Sequence, residues 1–398
     1  MTRILFIQGG SRWKLDDKKN LYTETNFNDS IWKRYKSYCD ELTVLLRREQ
    51  KIYTEEDAVE KFNKFDKDSA SAVIVDDIYR PISNTININK RLKIKKIIED
   101  EVKKADKVII RSLGNFYTDT AIKYAKKYKK KYLVEVTGFT FEGMWYHSFR
   151  GKLIAFFKEK YIKKLIIKSP YVVYVTQYAL QNRYKCIGKT IGCSDVELQN
   201  LTNNILEERL KKINRKNEKV ILGTAGFLDV KFKGQSSVVK AIASLKREGI
   251  TNIEYHLIGV GTGDAISRLA KKLGVDDQIF IEGVLPHEKV FDWYDNIDIY
   301  IHPGYIEGLC RSIVEAMSRA LPVCCASVGG NVELAQEKLM FERGNVREIK
   351  KVIKNLLDIK EQEDAAKYSF AKAQEYEKEK LDKKRNKFYR EFIGDTNA

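Results

Sequence analysis

The sequence contains few features of a secreted or membrane-spanning protein. Its 398 residues include five prolines, four histidines and six cysteines (39, 186, 193, 310, 324 and 325). The cysteines form no C-x-x-C pair, so we predict neither a metal site nor disulfides. No run approaches the roughly 20 apolar residues that span a bilayer. The apolar run at the N-terminus is too short for a signal peptide. We expect a cytoplasmic protein with no integral membrane segment.

The charge of the chain is large and uneven. The formal net charge is +18, and residues 88–168 contain 22 basic and 8 acidic residues, hence +14. Such a field favours an anionic partner: nucleic acid, acidic lipid headgroups or a phosphate-bearing substrate. A lysine-rich solvated surface is the alternative.

Short apolar runs alternate with helical patterns along the chain. The predicted strands are Arg3–Gln8, Leu42–Arg47, Ala72–Asp76, Lys107–Ser112, Tyr132–Thr137, Val172–Thr176, Val220–Ala225, Ile253–Gly259, Gln278–Glu282, Ile297–His302 and Leu321–Ala326. The predicted helices include Thr118–Lys130, Gln235–Glu248, Asp264–Leu273, Pro286–Tyr294 and Glu307–Ala320. Buried runs separated by helices predict parallel sheets built from βαβ units.

A chain of this length predicts two domains. The polar segment Leu198–Glu218 is interpreted as their join, and the helical, basic tail Glu361–Ile393 is expected to pack back on the first domain. We therefore predict an α/β fold of two doubly wound Rossmann-like domains facing across a cleft. The predicted divisions are an N-terminal domain at 1–200, a C-terminal domain at 215–375 and a returning C-terminal helix at 376–398.

The strongest chemical feature is the segment His302–Met317, which follows a buried strand and is predicted to open a helix. A strand, a glycine loop and a helix start direct free N–H groups at a ligand, which suits a diphosphate. Glu307 and Glu315 are eight residues apart, which on a helix is ~12 Å along the axis. One carboxylate could bind a sugar and the other a ribose. The alternative is an ordinary helix-start glutamate followed by a solvated one.

This segment resembles the Glu-x7-Glu signature of the family 4 glycosyltransferases, retaining enzymes of the two-Rossmann-domain (GT-B) type. Further segments resemble that family in the same order: Gly223–Gln235, Ile258–Gly261, Phe280–Pro286, Pro322–Val323 and Ser327–Leu334. The resemblance covers the second half of the chain, and it implies that 215–375 binds a nucleotide-sugar donor while 1–200 faces the acceptor.

By this resemblance, Glu307 contacts the transferred sugar, Glu315 binds the ribose and Lys233 neutralises the departing diphosphate. The implied donor-binding residues are Gly9, Gly10, Gly226, Phe227, Lys231, Gly259, Gly283, Val284, Leu285, Tyr305, Gly308, Leu309, Cys310 and Glu315. A cation at Lys233 is physically reasonable because negative charge develops on the leaving group; a solvated surface lysine is the alternative.

One departure from the family concerns Phe227, which stands where the family usually has an arginine. Either Lys231 or Lys233 then supplies the charge, or the donor loop is built differently.

The first half resembles the family less strongly. The segments that carry this resemblance are Phe6–Gly10, Glu135–Thr140 and Val175–Tyr184. A histidine often lies beside the reacting sugar in this fold, and His147 is the candidate catalytic residue. A histidine packed among aromatic residues is the alternative.

A basic amphipathic segment, Trp145–Lys168, interleaves apolar residues with arginine and lysine. Such a segment is typical either of a peripheral contact with an anionic membrane or of a core-packed helix with a charged outer face.

These observations favour a metal-independent, retaining hexosyltransferase that passes sugar from a UDP- or GDP-linked donor to a glycan or lipid-linked acceptor, in capsular or other cell-surface polysaccharide synthesis. No cofactor beyond the nucleotide sugar is expected. Two alternatives stay open. A nucleotide-sugar epimerase of the same fold would convert donor without acceptor. A non-catalytic nucleic-acid-binding protein would explain the charge, but we find no motif for it and expect no nucleic-acid partner.

Overall fold

The computed structural model describes residues 1–24, 27–196, 198, 201–215 and 218–394. It contains two β-sheets, each covered by helices, and confirms the predicted α/β class. Residue 200, where the first predicted domain ends, and residues 395–398 of the predicted C-terminal segment lie outside the described residues.

The first sheet has nine strands. They are β1 (Arg3–Asp16), β2 (Leu21–Thr23), β3 (Glu41–Tyr53), β4 (Asn63–Lys64), β5 (Ser71–Val75), β6 (Lys107–Arg111), β7 (Lys131–Val136), β8 (Tyr171–Tyr174) and β9 (Lys189–Gly192). Seven run parallel in the order β5-β3-β1-β6-β7-β8-β9, and β2 and β4 add antiparallel pairs beyond the first half of β1.

Strand β1 is longer than predicted. The prediction ended it at Gln8 before a glycine loop, but the strand continues through Gly9 and Gly10 to Asp16. Its pairing with β3 shifts register between Ile7 and Arg12 and then resumes. Trp13 is fully buried and donates its indole N–H to the carbonyl of Val73 at 3.1 Å. These distant contacts explain why local sequence did not predict the extension.

Seven helices accompany this sheet: α1 (Asp29–Lys36), α2 (Glu55–Lys61), α3 (Ile88–Lys104), α4 (Phe116–Lys127), α5 (Thr140–His147), α6 (Phe149–Ile167) and α7 (Ala179–Arg183). Helices α3, α4 and α6 share one hydrophobic core with alternate residues of the strands. The helices contribute Ile98, Ala121 and Ile162, among others. These three helices therefore form one layer over one face of the sheet.

The second sheet has six strands, all parallel: β10 (Val220–Ala225), β11 (Ile253–Ile258), β12 (Ile279–Gly283), β13 (Ile299–His302), β14 (Val323–Ala326) and β15 (Met340–Phe341). Their order is β12-β11-β10-β13-β14-β15. The remaining helices are α8 (Asn203–Ile213), α9 (Gln235–Arg247), α10 (Asp264–Leu273), α11 (His287–Asn296), α12 (Arg311–Ser318), α13 (Val346–Asn355), α14 (Ile359–Ala373) and α15 (Lys378–Ile393).

Helix α12 begins later than predicted. The prediction opened it at Glu307, but it begins at Arg311, so Glu307 lies in the preceding loop. The carbonyl of Gly308 accepts the N–H of Gly330 at 2.7 Å. A Cβ at Gly308 would collide with the carbonyl oxygen of Thr137 in the first half. The loop is thus shaped by both halves, and the helical separation expected for Glu307 and Glu315 does not apply.

Helix α15 returns to the first half, as predicted. Tyr389 donates its hydroxyl to Glu135, and its ring stacks on Tyr38 at 4.9 Å between centroids. Phe388 and Phe392 pack on Tyr171. Within the described residues, every helix is too short or too polar to cross a bilayer.

The chain passes between the halves near Leu198 and again near Glu377. These two residues form a parallel β-bridge, and Lys378 donates its N–H to the carbonyl of Leu198 at 3.0 Å. The predicted join contains a helix, α8, which is fixed to the second half. The buried guanidinium of Arg209 in this helix donates to carbonyls of residues 294, 297 and 319.

Candidate active site

A partly buried ionic cluster lies at the edge of the cleft. Strands β10 and β13 are neighbours, so the turn after β10 and the end of β13 meet at the carboxyl edge of the sheet. Lys233 reaches from that turn, and its Nζ lies 2.6 Å from Glu307 Oε1. His302, the last residue of β13, has Nε2 at 3.0 Å from the same oxygen. Two sequence segments, one containing Lys233 and the other containing His302 and Glu307, thus meet at one carboxylate oxygen.

Mutual contact keeps this cluster ionised despite burial. Burial raises the pKa of Glu307, but His302 and Lys233 outweigh burial and lower it to about 2. Burial lowers the pKa of His302, but Cys310 and Glu307 outweigh burial and raise it to about 10. Burial likewise lowers the pKa of Lys233, and Glu307 raises it above the usual value. The edge therefore presents an anion held between two cations.

His302 and Cys310 were not connected by sequence reasoning. The Sγ of Cys310 lies 3.5 Å from Nδ1 of His302, and His302, Glu307 and Cys310 place three ligand-type atoms within 4.8 Å of one another. Such atoms could hold a metal ion, although the ammonium of Lys233 already occupies the Glu307 oxygen. The spacing of these residues matches no standard metal motif, and the only signal was a histidine ending a buried strand.

Two cavities meet at Glu307. One has a volume of about 650 Å³ and is lined by Tyr305, Val328 and Arg343 among others. The other, of about 400 Å³, is lined by His147, Phe232 and Thr137 among others. Residues 139, 306 and 307 line both. His147, at the end of α5, is therefore brought into the same cavity as Glu307, as its candidate role requires.

Three predicted glycines lie at the ends of adjacent strands. Gly226, Gly259 and Gly283 follow or end β10, β11 and β12, and backbone N–H groups join them: Gly259 donates to the carbonyl of Gly283 at 2.7 Å. Gly259 has a φ of 138°, and a Cβ there would collide with the carbonyl of Gly226. The close approach at Gly259 therefore excludes other residues, and Gly226 lies beside the side chain of Lys233.

The other predicted donor-binding residues divide into two groups. Tyr305, Gly308, Leu309 and Cys310 lie in the loop around Glu307, whereas Phe227, Lys231 and Val284 are exposed at the ends of β10 and β12. Leu285 is half-buried. Glu315, on α12, accepts the hydroxyl of Tyr294 at 3.2 Å and does not line either cavity described above.

Gly9 and Gly10 are not in a loop beside Glu307. Both belong to β1, and neither lines the two cavities around Glu307. A Cβ at Gly9 would collide with the side chain of Asn115. Gly9 therefore permits close packing of the β6–α4 connection against β1.

A contact between the halves was not anticipated. The carboxylate of Glu333, in the second half, accepts backbone N–H groups of Gln177 at 2.6 Å, Tyr178 at 2.8 Å and Ala179 at 2.5 Å. Glu333 is buried, and these bonds satisfy N–H groups at the start of α7 that the helix itself cannot bond. One side chain thus joins the two walls of the cleft.

Comparison with known proteins agrees with this architecture. Residues 206–372, less than half of the chain, match the model of the family described as Glycosyl transferases group 1. A solved structure of Anabaena Alr3699/HepE in complex with UDP-glucose is similar in fold, with a TM-score of 0.62 over 97% of this chain and 99% of that one, at 14% identity. The chain is therefore similar to that structure in fold over nearly its whole length, and residues 206–372 are similar to the group 1 glycosyl transferases.

Two curated relatives add to this. Protein CapJ of Staphylococcus aureus is 29% identical over 353 residues, which is 88% of this chain and 85% of that protein. A putative teichuronic acid biosynthesis glycosyltransferase, TuaC of Bacillus subtilis, is 31% identical over 101 residues, which is 25% of this chain and 23% of that protein. The long match to CapJ includes both halves, whereas the match to TuaC is confined to one region.

Proposed function

We propose that this protein transfers a sugar, with retention and without a metal ion, from a nucleoside-diphosphate sugar to a glycan or lipid-linked acceptor in cell-surface polysaccharide synthesis. The observation that carries the proposal is the partly buried contact between Lys233 and Glu307, at the cleft and inside the region that matches group 1 glycosyl transferases.

The ionic cluster suits the chemistry of a departing diphosphate. Negative charge grows on the leaving oxygen as the glycosidic bond breaks, and a preorganised cation stabilises it. Lys233 is such a cation, held in place by Glu307 at 2.6 Å. Glu307, kept ionised by His302, accepts hydrogen bonds from sugar hydroxyls. The ammonium group of Lys233 thus neutralises the charge that other enzymes neutralise with a metal ion.

The two cavities at Glu307 suit two substrates. In this proposal, the second half, 215–375, binds the donor and the first half, 1–200, faces the acceptor. The cavity with His147 opens between the halves, and His147 would hydrogen bond the reacting sugar or the acceptor hydroxyl. Retention is proposed only because the segment His302–Met317 resembles the signature of the family 4 glycosyltransferases, which are retaining enzymes.

The donor is proposed to be UDP-linked, with GDP as the alternative, because the HepE structure of similar fold contains UDP-glucose. TuaC is described as a glycosyltransferase of teichuronic acid biosynthesis, and this similarity supports a cell-surface polysaccharide as the product. We propose that the reaction takes place in the cytoplasm.

The test is a thermal-shift panel of UDP, GDP and their sugars, run on the wild type and on Glu315→Ala. The control is Glu337→Ala, which removes an exposed carboxylate from the same half. A ligand at 100 times its Kd stabilises a protein by about 2.7 kcal/mol. We expect one nucleobase class to raise the Tm of the wild type and of Glu337→Ala, and to raise that of Glu315→Ala much less.

Turnover then separates transfer from other chemistry. Incubation of the stabilising nucleotide sugar with and without candidate acceptors should release nucleoside diphosphate faster when an acceptor is present. Conversion of the donor to an epimer in the absence of any acceptor would overturn the proposal.

A further inference from the structure

An exposed apolar face is found on helix α6, at the outer surface of the first half. Phe149, Leu153, Phe156 and Phe157 lie within one arc of the helix when successive residues are placed 100° apart. The side chains of Phe149 and Phe157 are 76% and 71% exposed. The opposite arc, with Gly151, Ala155, Ile162 and Ile166, is buried, and Ile162 and Ile166 belong to the core that the helix shares with the strands. The outer arc is therefore not the core-packed side of this helix.

A basic pocket lies on the flank of the same helix. It has a volume of about 410 Å³ and lies between α3, α4 and α6, with Arg91, Lys95, Lys123 and Lys158 in its walls. In the described part of the chain, none of the four forms an ion pair, and three lie over aromatic rings: Arg91 and Lys95 over Phe116 at 4.5 and 5.9 Å, and Lys158 over Tyr161 at 5.3 Å. Lys158 belongs to both α6 and the pocket wall.

One acidic residue also lines the pocket. Burial raises the pKa of Asp119, while Lys158 and the hydroxyl of Tyr161 oppose that shift. The lining therefore contains four basic side chains and one carboxylate. An anion is the ligand that this composition favours.

Apolar side chains flank the pocket on its second side as well. Ile88 and Leu92 on α3 are 69% and 56% exposed, and they lie on the arc next to Lys95. Basic residues surrounded by exposed aliphatic and aromatic side chains are typical of segments that lie in a bilayer interface. Lysines near the surface of an anionic leaflet add attraction, each by about 1 kcal/mol.

We propose that the layer of α3, α4 and α6 docks on an anionic bilayer, with the apolar arc of α6 inserted among the lipids and a lipid phosphate bound in the basic pocket. The charge of the pocket favours this occupant over a second copy of the chain, because the copy would bring the same positive charge to the contact. The proposal does not depend on the sugar transfer, and its failure would leave that function untouched.

The test is co-sedimentation of the full chain with vesicles of phosphatidylcholine, alone or with phosphatidylglycerol, at low and high salt. The apolar variant is Leu153→Ser with Phe157→Ser, and its control is Ile52→Ser with Val59→Ser, two exposed apolar residues elsewhere in the first half. The charge variant is Lys95→Gln with Lys123→Gln. Its control is Lys271→Gln with Lys272→Gln, which removes two exposed charges from α10 in the second half.

We expect the wild type to bind anionic vesicles and to be released by salt. The charge variant should bind about thirtyfold more weakly, the apolar variant should lose most binding, and both controls should bind like the wild type. The Tm and the nucleotide-induced shift of each variant verify that it is folded. Unchanged sedimentation of either variant would overturn the proposal. Dimerisation through these residues without vesicle binding would overturn it too, and would assign the face to self-association.

Discussion

The two walls of the cleft contrast in how they arrange charge. The second half brings Lys233, Glu307 and His302 into direct contact at the edge, where a ligand would meet them. The first half presents the Thr137 backbone and Phe139 there, and the charged residues that it adds to the larger cavity, Glu142 and Arg183, are paired with each other at 3.2 Å. Its Arg111 likewise bonds both Glu135 and Asp195, and Tyr35 donates to Glu135 at 2.7 Å.

The contrast has a physical reason. A wall that stabilises developing charge needs ionised groups at fixed positions, so its residue types and spacing are constrained. A wall that selects an acceptor by shape can be made from backbone and apolar side chains of many kinds. This difference explains why only the second half carries a dense set of recognisable motifs.

The largest expected effect tests the charged wall. Lys233→Met should lower kcat for transfer by about 10²–10³ because a preorganised cation is lost from the leaving group. Lys240→Met, which removes an exposed lysine from α9 in the same half, is the control and should leave kcat unchanged. Steady-state assays of both variants provide the measurement. Equal kcat values for Lys233→Met and the wild type would show that the wall of the second half does not stabilise the leaving group through Lys233.

The second prediction concerns pH and His302. Its pKa is raised from 6.5 to about 10, so its contribution to stability is complete below about pH 6.5 and is lost as pH rises toward 10. We expect the free energy of unfolding to fall by roughly 2 kcal/mol between about pH 7 and pH 9.

The variant His302→Gln isolates this effect, because Glu307, Lys233 and Cys310 keep their places around it. Urea unfolding across the pH range should show a clearly smaller alkaline loss in His302→Gln than in the wild type. Parallel curves for the two proteins would show that His302 is not the group whose protonation stabilises the cluster.

A third prediction tests whether the cleft wall of the first half is held in place by its contact with the second half. Glu333→Ala leaves three backbone N–H groups without their acceptor, and loss of such a cap costs about 1–2 kcal/mol. Urea unfolding should show this loss, while the nucleotide-induced shift in Tm is retained. Glu337→Ala should change neither quantity. Loss of the nucleotide shift in Glu333→Ala would mean that the walls cannot be treated as separate parts.

The smallest effect concerns Phe227, which is 54% exposed beside the charged wall. Phe227→Arg would add a cation near the diphosphate, and because an exposed ion pair is worth about 0.2–1 kcal/mol, we expect the Kd for UDP to fall by up to about fivefold. Calorimetric titration measures this Kd. The control is Val260→Arg, which changes a similarly exposed residue just after β11. Weaker binding by Phe227→Arg would indicate that the ring itself contacts the ligand.

Five of the six described strands of the second sheet were predicted to within two residues, and β15 was not predicted. Val220–Ala225 and Asp264–Leu273 were predicted with the bounds that the structure gives, because buried parallel strands and amphipathic helices have strong local patterns. The continuation of strand β1 beyond Gln8 could not be predicted. It depends on pairing with residues some 35 positions away, such as the pairing of Arg12 with Arg47.

The site was predictable in its parts but not in its geometry. Motif resemblance identified Glu307 and Lys233 as candidates, and the structure brings them together. The loop that presents Glu307 is fixed by Thr137 and Gly330, which are distant in sequence, so a helix was predicted there instead. His302 was a member of the motif, but its contact with Glu307 and Cys310 becomes visible only in three dimensions.

The paired crossings at Leu198 and Glu377 have a mechanical consequence. Leu198 and Glu377 are joined by a β-bridge, and Lys378 bonds to Leu198, so the two crossings meet at one point. Halves that are joined at such a point are expected to move about it as a hinge, which widens or narrows the cleft. Lys233 and His147 would separate in such a motion and would return to the same alignment when the cleft closes.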